Sequence, residues 1–280
     1  MRVARMKIHG ICVVKNEGDV MRYFLTEALR WCDRICVLDN NSTDATWKIV
    51  NEMAASHPQV VAYRRELGPF TDALRGDVFN HFKAQAEPGD WWCRLDADEI
   101  YIDEPRAFLA AVPRSHHVVW SAHLQYYLTE GDLARFAPNE EGAPLPEITA
   151  ENAPRYYIAN ASEGRFFRHR PGLQWPAGAW PRHLGLVTPK RIRLKHLQYR
   201  SPAQARARFK TRSDVGVRGG QMFEHWKRAD WKETLGDPAK LHEDRRDGDY
   251  VIDEAQMPQH LEPPLQRLVK RVMHGLGIWA

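Results

Sequence analysis

Along the first hundred residues the apolar positions switch between strand-like runs and helical spacing. Ile8 to Val14 is a mostly apolar run of strand length, closed by the turn Lys15-Asn16-Glu17-Gly18. Asp19 then stands where a helix cap belongs, and Val20, Phe24, Ala28 and Cys32 recur every four residues, which predicts a helix. Arg34 to Leu38 predicts a second strand. The cluster Asp39-Asn40-Asn41-Ser42-Thr43-Asp44 predicts a turn ahead of a helix with Trp47, Val50 and Met53 on one face. Val60 to Tyr63 reads as a strand, Ala73 to Ala86 as a helix, and Trp91 to Leu95 as a fourth strand ending in carboxylates. This alternation predicts an α/β fold, a mostly parallel sheet flanked by helices on both faces. Ligands of open parallel sheets bind beyond the carboxyl ends of the strands, where Lys15, Asp39 and Asp96 stand.

The second half is less regular. Val118 to Leu128 reads as extended, residues 137–155 as a loop or flap rich in Pro, Glu and Ala, and Arg191 to Gln198 as a strand. Ser201-Pro202 starts a basic helix. Near the end, Pro263-Pro264 starts a helix with Leu265, Leu268, Val269, Val272, Met273 and Leu276 on one face and Arg267, Lys270 and Arg271 opposite. Such a stripe ordinarily packs on the body of the protein, and that is the expectation here. The alternative is peripheral contact with an anionic membrane, with Trp279 at the interface. A first domain over residues 1–200 and a basic helical extension over 201–280 follow from this change of pattern.

Composition adds limits. With 43% hydrophobic and 27% charged residues, the 280-residue chain is globular rather than disordered. No stretch approaches the roughly 20 apolar residues of a membrane span, and the first apolar run is too short for a signal peptide. Cys12, Cys32, Cys36 and Cys93 lack zinc-site spacing and predict buried thiols in a reducing cytosol. Ten tryptophans admit an aromatic-lined pocket, although core packing is the default. Net charge is only +4, yet Arg165 to Arg218 is strongly basic, which predicts an anionic partner for part of it and a solvated face for the rest.

Candidate chemistry gathers at Asp96-Ala97-Asp98-Glu99. Alternate residues of a strand point to opposite sides, so Asp96 and Asp98 converge only if a turn separates them, as a strand end provides. Two carboxylates there suit Mg²⁺ or Mn²⁺ bridging the phosphates of a nucleotide. Asp39 at its strand end can accept hydrogen bonds from a nucleobase NH or a ribose hydroxyl.

Val14-Lys15-Asn16-Glu17, then Val37-Leu38-Asp39-Asn40-Asn41-Ser42-Thr43-Asp44, then Asp90-Trp91-Trp92 leading into Leu95-Asp96-Ala97-Asp98-Glu99, resembles glycosyltransferase family 2 with the GT-A fold, over about the first 105 residues. The resemblance implies a nucleotide-sugar donor, a UDP-sugar as first choice, and a saccharide, lipid-linked or protein acceptor. It implies a nucleotide pocket of Lys15, Glu17, Asp39, Asn41, Arg75 and Asp96, and a divalent metal (Mn²⁺ or Mg²⁺) on Asp96, Asp98 and His196. Arg200, beside His196 in a basic segment, is expected on the diphosphate. The Glu-Asp pair of better-known members and the Gln-x-x-Arg-Trp motif of processive synthases are missing, which favours non-processive transfer. Glu163 is then the first candidate for the base that takes the acceptor proton and Asp132 the second. Two other readings differ in chemistry. A sugar-nucleotide nucleotidyltransferase needs a Gly-rich loop where Lys15-Asn16-Glu17-Gly18 stands. A degenerate anion- or membrane-binding module gains nothing from clustered carboxylates, and a nucleic-acid partner is not expected.

Overall fold

The computed structural model describes residues 5–136, 145–182, 185–209 and 230–278. Strands β1 (Ile8–Val14), β2 (Arg34–Asp39), β3 (Val60–Arg65) and β4 (Trp91–Leu95) lie in the order β3-β2-β1-β4, all parallel. Every residue of β1 is buried, because both faces of the sheet are covered. Ile8, Cys12 and Val14 pack with α1 (Met21–Ala28) and α2 (Thr46–Ser56), whereas Ile11 and Val13 pack with Leu74, Val78 and Phe79 of α3 (Ala73–Phe82). Val14 pairs with Asp39 and Cys12 with Leu95, so Lys15, Asn40 and Asp96 leave the sheet at one edge.

After β4 the alternation ends. The remaining elements are β5 (Glu99–Tyr101), α4 (Pro105–Ala110), β6 (His116–Tyr127), α5 (Glu130–Leu133), β7 (Tyr156–Ala161), β8 (Gly164–Arg168), β9 (Leu186–Val187), β10 (Ile192–His196), α6 (described over residues 202–209), β11 (His242–Glu243) and α7 (Pro264–Gly275). β8 runs antiparallel to β4 and β6, and β7 antiparallel to β6 and β11. Only Ser162 and Glu163 separate β7 from β8, and the two follow one another along β6, since Ala161 pairs with His123, Glu163 O accepts from Ser121 NH and Gly164 pairs with Trp120. β10 lies between β5 and β6, antiparallel to the first and parallel to the second.

Several expectations change. Asp19 is not a helix cap: it is 3% exposed and its carboxylate holds the guanidinium of Arg200 at 2.7 and 2.9 Å. The basic run finds its anions inside the chain: Arg165 pairs with Asp96 and Glu99, Arg191 with Glu254, Arg193 with Asp103, Lys195 with Asp244, and Arg200 with Glu17 and Asp19. Trp91, Trp92 and Trp175 are core residues, with Arg168 stacked 4.4 Å over the Trp91 ring. Within the expected flap, Ile148 is buried and its NH donates to Asp19 O at 2.7 Å. Residues 137–144 of that flap, together with Lys210, Arg212, Arg218 and Trp279, lie outside the described residues. The stripe of α7 does not pack on the body: Leu265, Leu268, Val269, Val272 and Leu276 are exposed, and Lys270 is the buried member of the helix.

Candidate active site

A cleft of about 300 Å³ opens at the carboxyl ends of β1 and β4. It is lined by Lys15, Glu17, Asp96, Asp98, Glu163 and His196, as the sequence predicts, and also by Arg94, Glu99, His123, Gln125, Arg165 and Arg208. Among the described residues, no Trp, Tyr or Phe lines it. Asp98 sits in the turn between β4 and β5, fixed by Glu99 NH donating to Asp96 O (3.0 Å) and Leu197 NH donating to Asp98 O (2.7 Å). The second bond ties the end of β10 to that turn. His196 pairs with Glu99 in the β10–β5 register, and its Nε2 lies 3.4 Å from Asp98 Oδ2.

The two carboxylates of the motif do different work. Both oxygens of Asp96 are committed to arginines: Arg75 donates to Oδ1 and Arg165 to Oδ2, each at 2.7 Å. The next residue, Gly76, lets α3 lie against the backbone of Trp175 and Pro176, where a Cβ would meet Trp175 O at 2.7 Å. Burial raises the Asp96 pKa, but Arg75, Arg165 and Arg94 outweigh it and hold the carboxyl well below its ordinary range. Asp98 follows the same logic with His196 and Arg208 as the opposing groups. Arg208 Nη1 lies 2.9 Å from Asp98 Oδ2 and 3.4 Å from Glu17 Oε1. Burial pushes Glu17 up to about 7, against the pull of Arg200.

A further group stands in the lining of the cleft itself. Glu99, His123 and His196 could together hold a metal ion, with donor atoms within 4.8 Å of one another. Glu99 Oε2, His123 Nε2 and His196 Nδ1 are buried without a hydrogen bond. Burial raises the Glu99 pKa well above its ordinary value despite Arg165, and lowers that of His123. Buried acceptors and a carboxyl in such a state favour a bound cation.

Other predicted residues lie elsewhere. Arg200 is fully buried, with Glu17, Asp19 and Leu197 O taking its donors, and stands behind the cleft. Asp132 is not among the residues that line the cleft; it accepts from Thr129 NH and Oγ1 in the capping box of α5 and pairs with Arg135. Asp39 is fully buried: Oδ2 accepts from Ser42 NH (3.1 Å) and Arg65 Nε (2.8 Å), while Oδ1 has no hydrogen bond. Asn41 takes a left-handed φ of 56°, which turns the chain after β2.

Residues 11–168 match the sequence profile described as Glycosyl transferase family 2. The chain belongs to that family. As a glycosyltransferase it carries the expected fold, a parallel half followed by a mixed half. Comparison with curated proteins finds no match. Among solved structures it is similar to the mannosyltransferase PcManGT from Pyrobaculum calidifontis, a complex with GDP-Man and Mn²⁺, at 13% identity and a TM-score of 0.43, covering 80% of this chain and 68% of that one. It is also similar to S. aureus TarS, at 19% identity and a TM-score of 0.32, covering 58% of this chain and 28% of that one. A shorter form, TarS 1-349, gives 16% identity and a TM-score of 0.34, covering 76% and 65%. The glycosyltransferase thus spans less than a third of full TarS.

Glu99, His123 and Arg208 are the residues that sequence reasoning missed. Glu99 was within the quoted motif. His123 and Arg208 sit on β6 and α6, and only the tertiary fold brings them to the turn after β4.

Proposed function

We propose that this glycosyltransferase moves a sugar from a nucleotide-sugar donor to a saccharide, lipid-linked or protein acceptor, in the cytoplasm, with a divalent metal and inversion at the transferred carbon. The observation that carries the reading is the pair of Asp98 and His196, 3.4 Å apart at a strand-end cleft with Arg208 beside them. Donors bound side by side on a metal at about 2.1–2.2 Å are themselves roughly 3 Å apart, so this pair fits Mn²⁺ or Mg²⁺ with little movement. The unpartnered atoms of Glu99 and His123 fit the same charge. Asp98 and His196 would hold the ion, and Asp96 would act through its arginines. When bound, the metal neutralises the diphosphate that leaves.

The chain's own groups supply the rest. Lys15 and Arg208 attract the diphosphate, and Arg208 takes the role the sequence suggested for Arg200. Asp39, whose buried Oδ1 has no hydrogen bond, becomes an acceptor for the nucleotide once Arg65 and the loop shaped by Asn41 move aside on binding, and Arg75 holds Asp96. Glu163, between β7 and β8, lines the cleft with its side chain 42% exposed, so an acceptor hydroxyl can reach it as a general base. Inversion follows if that hydroxyl attacks opposite the departing diphosphate.

The test is a thermal-shift and transfer screen of UDP-, GDP-, CMP- and dTDP-sugars with Mn²⁺, Mg²⁺ or EDTA. One nucleotide class should raise Tm only with metal, and Asp98→Asn should cut transfer at least about a hundredfold without lowering the Tm of the free protein. Full transfer in EDTA, or by the Asn variant, removes the metal from the mechanism. A protein that no nucleotide sugar stabilises is not a transferase of this kind.

A further inference from the structure

Helix α7 is amphipathic in the reverse sense of an ordinary surface helix. Its polar side faces the protein: Lys270 is 7% exposed, donates to Gly185 O at 2.9 Å and pairs with Glu262 at 2.7 Å. One turn on, the His274 ring meets His117 edge-on, with centroids 4.9 Å apart. Glu262 also accepts from the NH of Val187 in β9, so the helix is fastened to the sheet through charged and hydrogen-bonded groups. Its apolar side faces out. Leu265, Leu268, Val269, Val272 and Leu276 are 73, 58, 49, 51 and 68% exposed. At 100° per residue these five share about a third of the helix circumference, opposite Lys270 and His274. A contiguous apolar strip of this kind on a charged anchor marks a surface that is covered in use.

Charge identifies what covers it. Arg267 and Arg271 stand on the helix itself, and Arg114 lies just ahead of β6, whose first residue His116 is beside the helix. Arg114 and Arg271 are exposed, and the carboxylate in this group, Glu262, is already paired with Lys270. A second copy docked through the same strip by a twofold axis would bring these arginines against their own counterparts. A bilayer with anionic headgroups offers hydrocarbon to the strip and phosphate to the arginines. It also requires the polar side of the helix to point at the enzyme, as Lys270 and His274 do.

We propose that α7 is a membrane-docking element, with its outward strip entering the headgroup–acyl boundary of an anionic bilayer while Lys270 and His274 hold it to the enzyme. No helix among the described residues is long and apolar enough to cross a membrane, so this contact is peripheral. It is independent of the transfer reading, since the residues involved lie outside the cleft.

The experiment is flotation of the full chain with phosphatidylcholine vesicles with and without phosphatidylglycerol. Wild type should float with the anionic vesicles and not with the neutral ones. The exposed pair Leu268→Asp with Val272→Asp should weaken flotation at least about tenfold while Tm and transfer to a soluble acceptor stay unchanged. Arg271→Glu should weaken it less and make it more sensitive to salt. The four native cysteines are buried, so Val269→Cys can carry a single environment-sensitive dye, whose emission should shift to the blue on anionic vesicles. Three results overturn the proposal. They are no flotation of wild type, equal flotation of the Asp pair, or a dimer in light scattering that the Asp pair splits, which would give the strip to a second copy.

Discussion

At the residue scale, the Asp-x-Asp motif divides its labour. Asp96 is saturated by Arg75 and Arg165, so its charge is spent on orienting them, and Asp98 is left to face His196. Arg208 is the cation that already stands beside Asp98 and Glu17. On the proposed reading it passes to the diphosphate when a donor binds. Arg208→Ala should therefore raise the donor KM about ten- to a hundredfold, the worth of a charge-assisted hydrogen bond, with Tm nearly unchanged. Arg208→Lys should recover part of it, because charge returns without the two-pronged geometry. Steady-state kinetics with varied donor decide this, and an unchanged KM in the Ala variant removes Arg208 from the site. These roles were unequally legible. Asp96 and Asp98 announce themselves through their place after an apolar strand. His196 is one of 13 histidines and becomes visible only through the family resemblance. Arg208 is one of many cations in the basic run, and nothing local sets it apart from them, because its place at the cleft comes from where α6 points.

Elements whose pattern is set by burial on both faces were readable. β1, β2 and β4 are nearly all buried, and their apolar runs say so. The second half was harder, since β6 pairs with β7, β8, β9 and β10 along its length, and such pairings leave no periodic trace. The two-residue strand β11 could not be read at all. It is held by Asp244, which accepts from Tyr126 Oη and Lys195 Nζ at 2.5 Å each and from Arg246 NH at 2.9 Å. Burial raises the pKa of Asp244, but Lys195 and Tyr126 outweigh it and leave it lowered. A carboxyl with a depressed folded pKa stabilises the fold fully above its unfolded value of 3.8, and that stability is lost as pH falls through the folded value. Asp244→Asn should therefore cost about 2–4 kcal/mol at neutral pH, where Lys195 loses its partner. The gap from wild type should narrow as pH drops below 3.8. Urea melts at neutral and acid pH check this, and a gap independent of pH would mean that the charge of Asp244 is not what holds the strand.

For the whole molecule, the first half builds a nucleotide-type sheet end and the second half folds back to close it. The closure is a set of charges that sequence reasoning assigned to other tasks. Arg200, expected on a substrate, instead joins the segment after β10 to the loop after β1 through Glu17 and Asp19, some 180 residues away in the chain. All three lie in low dielectric. Burial, with the carboxylates of Asp98 and Asp19 nearby, pushes Glu17 up to about 7 even with Arg200 present. Replacing one member of such a set leaves the others charged and unpaired, which costs about 3–5 kcal/mol, more than an exposed ion pair contributes. Arg200→Met keeps much of the side-chain volume and removes only the charge and its donors. At roughly 2–4 °C per kcal/mol, its Tm should fall by about 6–20 °C. Adding Asp19→Asn to that variant should restore part of the loss, because the uncompensated carboxylate is gone. A double-mutant cycle measures the coupling, expected at about 0.5–3 kcal/mol for residues in contact. If instead Arg200→Met leaves Tm unchanged and raises only the donor KM, Arg200 faces a substrate after all, and its ion pairs with Glu17 and Asp19 are not part of what holds the two halves together.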